Sequence, residues 1–436
     1  MAKVYPFNGL RYNTEKVSLF DVVAPPYDII SPEIQDALYN KSEYNIVRAD
    51  FGKEFPEDND TVNKYTRSGE LFEKWLKEDI IKAEDTPCFY IYEQVFKSNN
   101  SKYSLKGLYS LVQLCDFKEN IVLPHEETLS KAKADRFELM KTTNANLSAI
   151  YSLYLDEDKS MQEFIEVLSQ GNPDLSFGTE DGVGHNVWIV KDKEATDKIT
   201  AFFSDKQVFI ADGHHRYETA LRYRDYMREQ TGDMSEDAPF NYVMMLLTSM
   251  SDPGLLVFPT HRMIKDMPDF DEESIVSALT DNFSISKIRF TDGEYDEIIM
   301  SKLRNCGDEI QFAMYTGKDY YYLLKLKDVS IMDSYISDKP EVYRRLDVSC
   351  LHTLILDRHF GINMENMAQQ KNLLYSRDSK EAIAAVQEGK CHCSFLINAT
   401  KISQIKDISL LGEKMPQKST YFWPKPVTGV LFNSLG

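Results

Sequence analysis

The hydrophobic positions fall in short runs that alternate with amphipathic segments along the whole chain. The runs CFYIYEQVF and LKGLYSLVQL are rich in β-branched and aromatic residues, and the polar segment KSNNSK separates them. Two β-rich runs joined by a short polar linker predict a β-hairpin. Short apolar runs bounded by polar residues are also typical of buried strands. Three such runs predict further strands: NLSAIYSLYL, VWIV and QVFIA.

Four segments have the features of helices. The motif Ser31-Pro32-Glu33 combines an N-cap hydroxyl, a proline at the first helical position and an acid in the first turn. These features predict a helix that continues through Tyr39. The other three predicted helices cover Thr61 to Glu78, the residues after Lys131 with Phe137 and Met140 on the apolar side, and His215 to Gln230.

The alternation of strands and helices predicts an α/β chain of the mixed (α+β) class. Its 436 residues are enough for two or three domains, and no repeat of a solenoid or propeller is present. Candidate boundaries are acidic, turn-rich segments such as FGKEFPEDNDT, TGDMSEDAP and SISDKPE. We expect an N-terminal α/β region at 1–104, a central core at 105–255 and a C-terminal α/β domain at 256–436.

The net charge of the chain restricts the classes of molecule that it is expected to bind. It has 50 Lys and Arg against 69 Asp and Glu, a formal net charge of -19. Such a field repels phosphate backbones and anionic lipids, so we expect neither nucleic acid nor a membrane as a partner. The chain shows no signal-peptide pattern and no apolar run of about 18 residues, which predicts a cytoplasmic protein. Assembly into a homo-oligomer stays open.

The segment QVFIADGHHRYETALRYR concentrates the polar chemistry of the chain. The apolar residues at its start predict a buried strand. Asp212-Gly213 then predicts a sharp turn, and the residues after it predict the start of a helix. Such a turn brings backbone N–H groups and the positive end of a helix dipole to one point. His214, His215 and Arg216 add three side chains that can carry positive charge. This combination predicts a phosphate-binding site.

The side chains of this turn suit a phosphate ligand in different ways. Gly213 has no Cβ to obstruct a ligand, and Arg216 can donate two hydrogen bonds to phosphate oxygens. Asp212 could hold a magnesium ion, directly or through water, beside a transferring phosphoryl group. A structural alternative is that Asp212 caps the helix and the two histidines bond to nearby carbonyls. The number of polar groups on one turn favours the ligand site.

A second polar segment, IVLPHEETLSKAKADRFELM, exposes His125, Glu126 and Glu127 in a loop. A carboxylate held beside other ionisable groups can act as a general base for a hydroxyl. From spacing alone, a solvated charged loop before a helix is the favoured interpretation.

Two further segments are less specific. APPYDIISPE places Tyr27 and Asp28 on a rigid Pro-Pro turn, where a packed turn before a helix is the simpler interpretation. MPQKSTYFWPKPVTGV brings Lys418, Ser419, Thr420 and Lys425 close to three aromatic residues. One interpretation is that this segment closes over an anion or a base. The other is that it is a C-terminal strand whose aromatic side chains pack against the rest of the protein, and both alternatives stay open. The common phosphate loops GxxxxGK[ST] and strand-associated GxGxxG are absent, as are HExxH and GxSxG.

Several of these motifs together resemble a widespread bacterial family of unknown function. They are APPYD, LPHEET followed by DR, the NLS after it, ADGHHRYETA, FPTHR and MPQKSTYFWPK, in the family's order and over almost the whole chain. The central portion of that family is similar to free serine kinases of the SerK type, mainly through PHEE and DGHHR. SerK-type kinases share a fold with the nucleotidase domain of ParB partition proteins and with sulfiredoxin. The resemblance therefore implies a ParB/sulfiredoxin-like mixed-sheet core at 105–255.

The resemblance to SerK-type kinases also implies roles for individual residues. The turn from Asp212 to Arg216, with Gly213, His214 and His215, would bind the phosphates of ATP or ADP. Glu126 would remove the proton from the serine hydroxyl, and Asp212 would assist the magnesium ion or the acceptor. The implied substrate-binding residues are His125, Arg136, Lys418 and Ser419, with Arg136 and Lys418 on the amino acid's carboxylate.

We therefore expect a magnesium-dependent phosphotransferase acting between a purine nucleotide and serine, phosphoserine or a similar small hydroxylated metabolite. Two alternatives remain at this point. One is a nucleotide-binding regulatory or scaffold protein without kinase turnover, which would use the phosphate turn but need no base at Glu126. The other is a phosphoserine phosphatase, which would transfer the phosphate to water.

Overall fold

A computed structural model describes residues 1–98, 101–128, 130–291, 293–363, 366–367, 371–416 and 418–436. By their internal contacts, the residues group into two units. The first contains Met1–Pro124, Thr128–Leu256 and Pro424–Gly436, and the second contains His125–Glu127 and Val257–Trp423. Both units combine helices with β-sheets, which confirms the α+β class. The three predicted regions and the ParB/sulfiredoxin-like core stay predictions.

Within the described residues, the first unit is built on a nine-stranded sheet in which parallel and antiparallel pairs are mixed. Eight strands follow one another across the sheet in this order: Val122–Leu123, Val208–Asp212, Ile150–Tyr154, Tyr242–Ser249, Ser101–Gln113, Phe89–Ser98, Gly184–Val190 and Leu175–Gly178. The ninth strand, Val4–Tyr5, pairs with Ser101–Gln113. Two small ladders join Leu10–Tyr12 to Ile81–Ala83 and Ala145–Asn146 to Asn433–Ser434.

The predicted hairpin and the three other predicted strands are all in this sheet. Phe89–Ser98 and Ser101–Gln113 pair antiparallel from Tyr90↔Tyr109 to Ser98↔Ser101, which confirms the hairpin. Residues 99 and 100 of its linker lie outside the described part of the chain. The runs NLSAIYSLYL, VWIV and QVFIA contain strands at the predicted places.

The predicted helices of this unit are confirmed, with small changes at their ends. Ser31 caps the first one, because its side chain accepts a hydrogen bond from the Ile34 amide. The second begins at Lys64 instead of Thr61, because the Asn63 side chain accepts from the first amides of the helix and fixes its start. The α-helices are Leu19–Val22, Pro32–Lys41, Val47–Asp50, Lys64–Lys77, Ser130–Thr143, Ser160–Leu168, Lys193–Phe203 and His214–Thr231, and the 3-10 helices are Tyr27–Ile29, Phe117–Glu119 and Pro239–Asn241.

The main apolar core of the first unit anchors the segment that carries the polar turn. Val208 and Ile210 from the strand, and Tyr217 and Ala220 from the helix after it, belong to the same buried cluster. Burial of apolar side chains on both sides of the turn fixes its position, because each contributes stability in proportion to the area removed from water.

The second unit contains a six-stranded antiparallel sheet. Its strands, in order across the sheet, are Phe283–Arg289, Tyr320–Leu326, Gln311–Tyr315, Cys393–Leu396, His261–Ile264 and Leu373–Ser376. Two short strands, Leu256–Phe258 and Tyr421–Trp423, pair with each other. The helical segments are Glu272–Leu279, Tyr295–Arg304, Val329–Ile331, Met332–Tyr335, Glu341–Arg344, Asp347–Leu351, His352–Asp357, Arg358–Phe360, Ser379–Gln387 and Ile402–Leu410.

Helices Tyr295–Arg304 and Ser379–Gln387 cover one face of this sheet. Ile299 and Ile383 from these helices join Leu323 and Leu396 from the strands in a buried cluster. In the described parts of both units, no helix combines the length and the apolar character that a membrane crossing requires.

Candidate active site

The predicted phosphate turn is a strand-turn-helix segment of the first unit. The strand Val208–Asp212 ends at Asp212, Gly213 has a φ of 98°, and the helix His214–Thr231 begins at the next residue. Positive φ is accessible to glycine at little cost, because glycine has no Cβ. The pairing of this strand with Ile150–Tyr154 shifts register between Ile210 and Asp212. Such an irregularity re-aims the side chain at the end of the strand.

The Asp212 carboxylate lies between two cations. Its Oδ2 atom is 2.7 Å from Arg216 Nη2, and its Oδ1 atom is 2.6 Å from Lys425 Nζ. Burial by itself would raise the pKa of Asp212, but the attraction of Lys425 and Arg216 outweighs it and holds that pKa well below its usual range. Asp212 is therefore ionised at neutral pH and is a weak base. Its contacts suit it to hold the two cations in place.

Lys425 also connects this turn to the APPYD motif. Its Nζ atom is 3.1 Å from Asp28 Oδ2, so two carboxylates share one ammonium group. Only 9% of the Lys425 side chain is exposed, which makes this contact less screened than a surface ion pair. In the sequence, Lys425 belongs to the MPQKSTYFWPKPVTGV segment, which by itself does not indicate a contact with Asp212 or Asp28.

The guanidinium group of Arg216 packs over Gly213. A Cβ atom on Gly213 would lie 2.8 Å from Arg216 Nε, closer than van der Waals contact allows. The Arg216 side chain therefore occupies the space that a Cβ of Gly213 would take, and the contact of Gly213 with a ligand stays a prediction. Arg216 Nη1 donates to the Ala149 carbonyl, and its buried Nε has no hydrogen-bond partner among the described residues.

A small cavity lies beside Arg216. Its volume is about 40 Å³, and Arg216, Arg136, Asp50 and Ser148 line it. At about 15 Å³ for each water molecule, two or three ordered waters fit there and a nucleotide does not. We therefore expect this cavity to hydrate Arg216, whereas a phosphate ligand would approach the turn from another side.

The two histidines follow the turn directly. His214 is buried, and its positive form contributes to the low pKa of Asp212. His215 is half-buried. The first helical turn thus begins with two imidazoles and a guanidinium that follow the ionised Asp212, and their role in phosphate binding stays a prediction.

Arg136 is buried among carboxylates in the same unit. Its Nη1 atom is 3.2 Å from Asp50 Oδ1, its Nη2 atom is 2.7 Å from Asp135 Oδ2, and its guanidinium lies 4.1 Å from the Tyr27 ring centroid. Burial would raise the pKa of Asp135, but Arg136 and Lys64 lower it to about 2. These contacts hold Arg136 within its own unit, and its role on a substrate carboxylate stays a prediction.

The second unit holds Glu126 against a turn of the MPQKST motif. The backbone N–H of Lys418 donates to Glu126 Oε1 over 2.8 Å. Lys418 has a φ of 58°, an uncommon conformation for a residue with a side chain. Its carbonyl accepts a hydrogen bond of 3.1 Å from Arg262 Nη2. Arg262 therefore contacts the same residue, Lys418, whose N–H group contacts the Glu126 carboxylate.

Arg262, of the FPTHR motif, is a site residue that sequence reasoning missed. It is fully buried, and no carboxylate among the described residues lies within salt-bridge distance of it. Burial lowers the pKa of Arg262 to about 10, against the opposing effect of Tyr375 and Glu126. The signal in the sequence that could have indicated Arg262 is the FPTHR motif itself.

His125 and Ser419 are both buried in the second unit. His125 Nε2 lies 2.9 Å from Thr420 Oγ1, and the His125 carbonyl accepts from the Met415 amide over 2.8 Å. The Ser419 hydroxyl donates to the Pro416 carbonyl. These contacts connect the PHEE and MPQKST motifs, whereas the roles of His125 and Ser419 in substrate binding stay predictions.

The predicted site residues are therefore distributed over both units. Asp212 to Arg216 and Arg136 belong to the first unit, and His125, Glu126, Lys418 and Ser419 belong to the second. The joint action of the two sets stays a prediction. Across the described ranges, no cluster of three or more His, Cys, Asp and Glu side chains is arranged to hold a metal ion. Because both oxygens of Asp212 contact cations, a magnesium ion bound directly to it does not fit these contacts.

A comparison with family models accounts for the motifs. The model described as "Protein of unknown function (DUF1015)" matches residues 4–349. The chain belongs to this family. The result agrees with the resemblance that the motifs indicate, and it covers APPYD, PHEE, DGHHR and FPTHR. A search of curated proteins found no match for this DUF1015 chain.

Solved structures similar to this DUF1015 chain include two mutants of a free serine kinase. One, in complex with AMP, has 11% sequence identity and a TM-score of 0.36, with 72% of this chain and 87% of that chain covered. The other, in complex with ADP, has 12% identity and a TM-score of 0.35 at the same coverage. A conserved hypothetical protein from Pyrococcus furiosus has 13% identity and a TM-score of 0.35, with 75% of this chain and 95% of that chain covered.

Proposed function

We propose that this chain is a phosphotransferase of the free serine kinase type. It would move a phosphoryl group between a purine nucleotide, ATP or ADP, and serine, phosphoserine or a similar small hydroxylated metabolite. The observation that carries this proposal is the turn in which Asp212 ends a strand, Gly213 bends the chain, and two histidines and Arg216 open a helix. Helix N-termini with nearby cations are ready-made phosphate sites.

We assign the charge neutralisation at this turn to Arg216 and Lys425. The transferred phosphoryl group carries its negative charge on three oxygens, and catalysis depends mainly on positioning and on fixed positive charge. Asp212 contacts both cations, so they are positioned before a ligand arrives and little reorganisation is needed. A magnesium ion would add charge neutralisation on the nucleotide's phosphates, without a direct bond to Asp212.

We assign Glu126 the role of general base. Its carboxylate would take the proton of the acceptor hydroxyl while the hydroxyl oxygen bonds to phosphorus. The bond from phosphorus to the nucleotide's bridging oxygen would break at the same time, which leaves a nucleotide shortened by one phosphate. The Lys418 N–H on Oε1 fixes the orientation of the carboxylate for this step. In the reverse direction, protonated Glu126 would return the proton to serine.

Incubation of the purified protein with L-serine, magnesium chloride and ATP or ADP tests the proposal, and phosphoserine with AMP or ADP tests the reverse reaction. We expect turnover in at least one direction. Glu126→Gln should lower the rate about 100-fold or more, because it removes the base. Glu127→Gln is the matched control, since Glu127 pairs with Lys414 and has no assigned role. Absence of turnover in both directions would refute the proposal.

A nucleotide-binding regulatory protein without turnover is the second candidate. The observation that favours it is that Asp212 already contacts two cations and Arg216 closes over Gly213, so the turn is complete without a metal. Thermal-shift titration with ATP, ADP and AMP separates the candidates. Binding that persists in Glu126→Gln, with no product formed by either protein, supports the regulatory function. Release of phosphate from phosphoserine without nucleotide would instead indicate a phosphatase.

A further inference from the structure

The six-stranded sheet of the second unit holds a buried arginine between its strands and a helical segment. Arg262 pairs in register with Tyr375 on one neighbouring strand and with Phe395 on the other. Residues that are directly opposite in antiparallel strands share one face of the sheet. The Phe395 ring packs against the ring of Phe360 at a centroid distance of 5.8 Å, and Phe360 ends the helical segments that begin at Asp347. Arg262 therefore lies in the layer between this face and those helical segments.

The charge of Arg262 is buried in this layer without a counter-charge. The side chain is fully buried, and its guanidinium donates to the carbonyls of Thr260 and Lys418, which are both neutral acceptors. Its Nε atom has no acceptor among the described residues. Buried charges in proteins are normally paired, because an unpaired charge loses its hydration without compensation. The surroundings of Arg262 are therefore suited to an anion.

Two other side chains near Arg262 have unused hydrogen-bonding groups. The Tyr375 hydroxyl and both ring nitrogens of His352 are buried and have no partner in the described part of the chain. The Tyr375 ring centroid lies 5.4 Å from the guanidinium carbon of Arg262. Burial of His352 and the nearby charge of Arg262 hold its pKa well below the usual range, so its imidazole is neutral and has one N–H group to donate. Arg262, Tyr375 and His352 together offer three donors.

Ordered water is the ordinary explanation for buried polar groups without partners. A water molecule would satisfy the hydroxyl and the imidazole, but it would leave the charge of Arg262 uncompensated. A structural role for Arg262, as a link between the Thr260 and Lys418 carbonyls, explains its two terminal nitrogens and not its Nε atom. A carboxylate supplies both a negative charge and acceptor oxygens, so it accounts for all of these groups.

These donors lie close to the proposed general base. Arg262 Nη2 bonds to the carbonyl of Lys418, and Glu126 Oε1 bonds to the N–H group of the same residue. Glu126 and Tyr375 are half-buried, so the group reaches the surface at these two residues. In a small hydroxylated acid, a short carbon chain separates the carboxylate from the hydroxyl. Such a molecule is the right size to contact Arg262 and Glu126 at the same time.

We propose that Arg262 and Tyr375 bind the carboxylate of a small hydroxylated acid, whose hydroxyl group then faces Glu126. His352 would donate a further hydrogen bond to the carboxylate. This inference rests on the proposed function, and it narrows the acceptor to hydroxylated acids and excludes neutral alcohols. It assigns the carboxylate to Arg262 instead of Arg136, which already contacts two carboxylates of the protein.

Calorimetric titration of the full chain without nucleotide tests the site. The probes are L-serine and D-glycerate, and the matched controls are serinol and glycerol, which carry a hydroxymethyl group in place of the carboxylate. At least one of the two acids should bind, and its matched alcohol should bind at least about tenfold more weakly, because it lacks the charge-assisted hydrogen bonds.

Substitutions then assign the binding to these side chains. Tyr375→Phe and Arg262→Met should each weaken binding of the acid about tenfold and reduce the preference for it over the alcohol. Arg289→Met, which removes an exposed arginine of the same sheet, should change neither. Tyr375→Phe guards against misfolding, because it removes a buried hydroxyl without a partner and should not lower the melting temperature.

The outcomes separate this inference from the proposed function. Failure of both acids to bind, or binding that neither Tyr375→Phe nor Arg262→Met changes, would overturn the inference. Phosphotransfer to serinol or glycerol at the rate of the matched acid would also overturn it, although the proposed function would stand. Binding of an acid through Arg262 and Tyr375 without turnover would support this site and refute the proposed function instead.

Discussion

Asp28 and Asp212, from motifs far apart in the sequence, contact the ammonium group of the same lysine, Lys425. Two carboxylates this close to one cation would repel each other without it, so Lys425 holds the APPYD segment beside the strand-turn-helix segment. The same contacts explain why Asp212 stays ionised although most of its side chain is removed from water. Lys425 is therefore central to the stability of the first unit and to the charge at the candidate phosphate turn.

We expect Lys425→Met to lower the free energy of unfolding by about 2 kcal/mol at pH 7, because the half-buried Asp212 then keeps only Arg216 as a cationic partner. The folded-state pKa of Asp212 is lowered, so its contribution is present above the unfolded pKa of 3.8 and is lost as the pH falls through the folded value. The loss should therefore shrink at pH 3. Urea denaturation at pH 7 and pH 3 measures this loss of unfolding free energy. Lys414→Met, which removes an exposed ion pair, is the control. An equal loss at both pH values would contradict this account.

Gly213→Ala should destabilise the protein more than Gly232→Ala. Both glycines have positive φ, which costs a residue with a Cβ about 1–2 kcal/mol. A Cβ at Gly232 would meet nothing within 4 Å, whereas a Cβ at Gly213 would clash with Arg216. In the double variant Gly213→Ala/Arg216→Ala, the extra loss should disappear, which a double-mutant cycle of unfolding free energies measures. Strict additivity of the two substitutions would show that the packing of Arg216 on Gly213 has no energetic importance.

Arg262→Met should separate stability from activity. Arg262 is fully buried, and its guanidinium donates to the Thr260 and Lys418 carbonyls. An apolar side chain avoids the burial of a charge but removes these two hydrogen bonds, so we expect the opposing effects to change the unfolding free energy by less than about 1 kcal/mol. The Lys418 carbonyl would lose its donor, and Glu126 would lose its fixed orientation. We expect phosphotransfer to fall at least about tenfold, since misplaced catalytic groups lose that much or more. Arg262→Lys, which keeps the positive charge, should retain part of the phosphotransfer activity. A large loss of stability in Arg262→Met would instead show that Arg262 has a structural role.

The pH dependence of stability should change when Asp347 becomes Asn. The folded-state pKa of Asp347 is raised from 3.8 to about 6, so its favourable contribution is fully present below 3.8 and is lost as the pH rises towards 6. Relative to the wild type, Asp347→Asn should therefore become more stable as the pH increases from 4 to 7. Thermal unfolding across this range checks the prediction. A constant difference between the two proteins would mean that Asp347 titrates normally.

Local features of the sequence predicted much of the fold. The hairpin of Phe89–Ser98 with Ser101–Gln113 follows from two β-rich runs and a polar linker, and the helix Pro32–Lys41 follows from its Ser31 cap. The end of a strand at Asp212 and the start of a helix at His214 were also predicted. These features depend on hydrophobic period, caps and turn residues within a few positions of one another, which a sequence displays directly.

The sequence by itself determined the α+β class, the main elements around the candidate turn, the strong negative charge and the motifs shared with the DUF1015 family. Only the tertiary structure decided that Lys425 binds Asp212 and Asp28, that Arg136 is held by Asp50, and that Arg262 bonds to the carbonyl of Lys418. The physical reason is that a charged side chain can pair with any opposite charge in a long chain. Which pair forms depends on how packing brings distant segments together, and burial then sets the strength of the interaction.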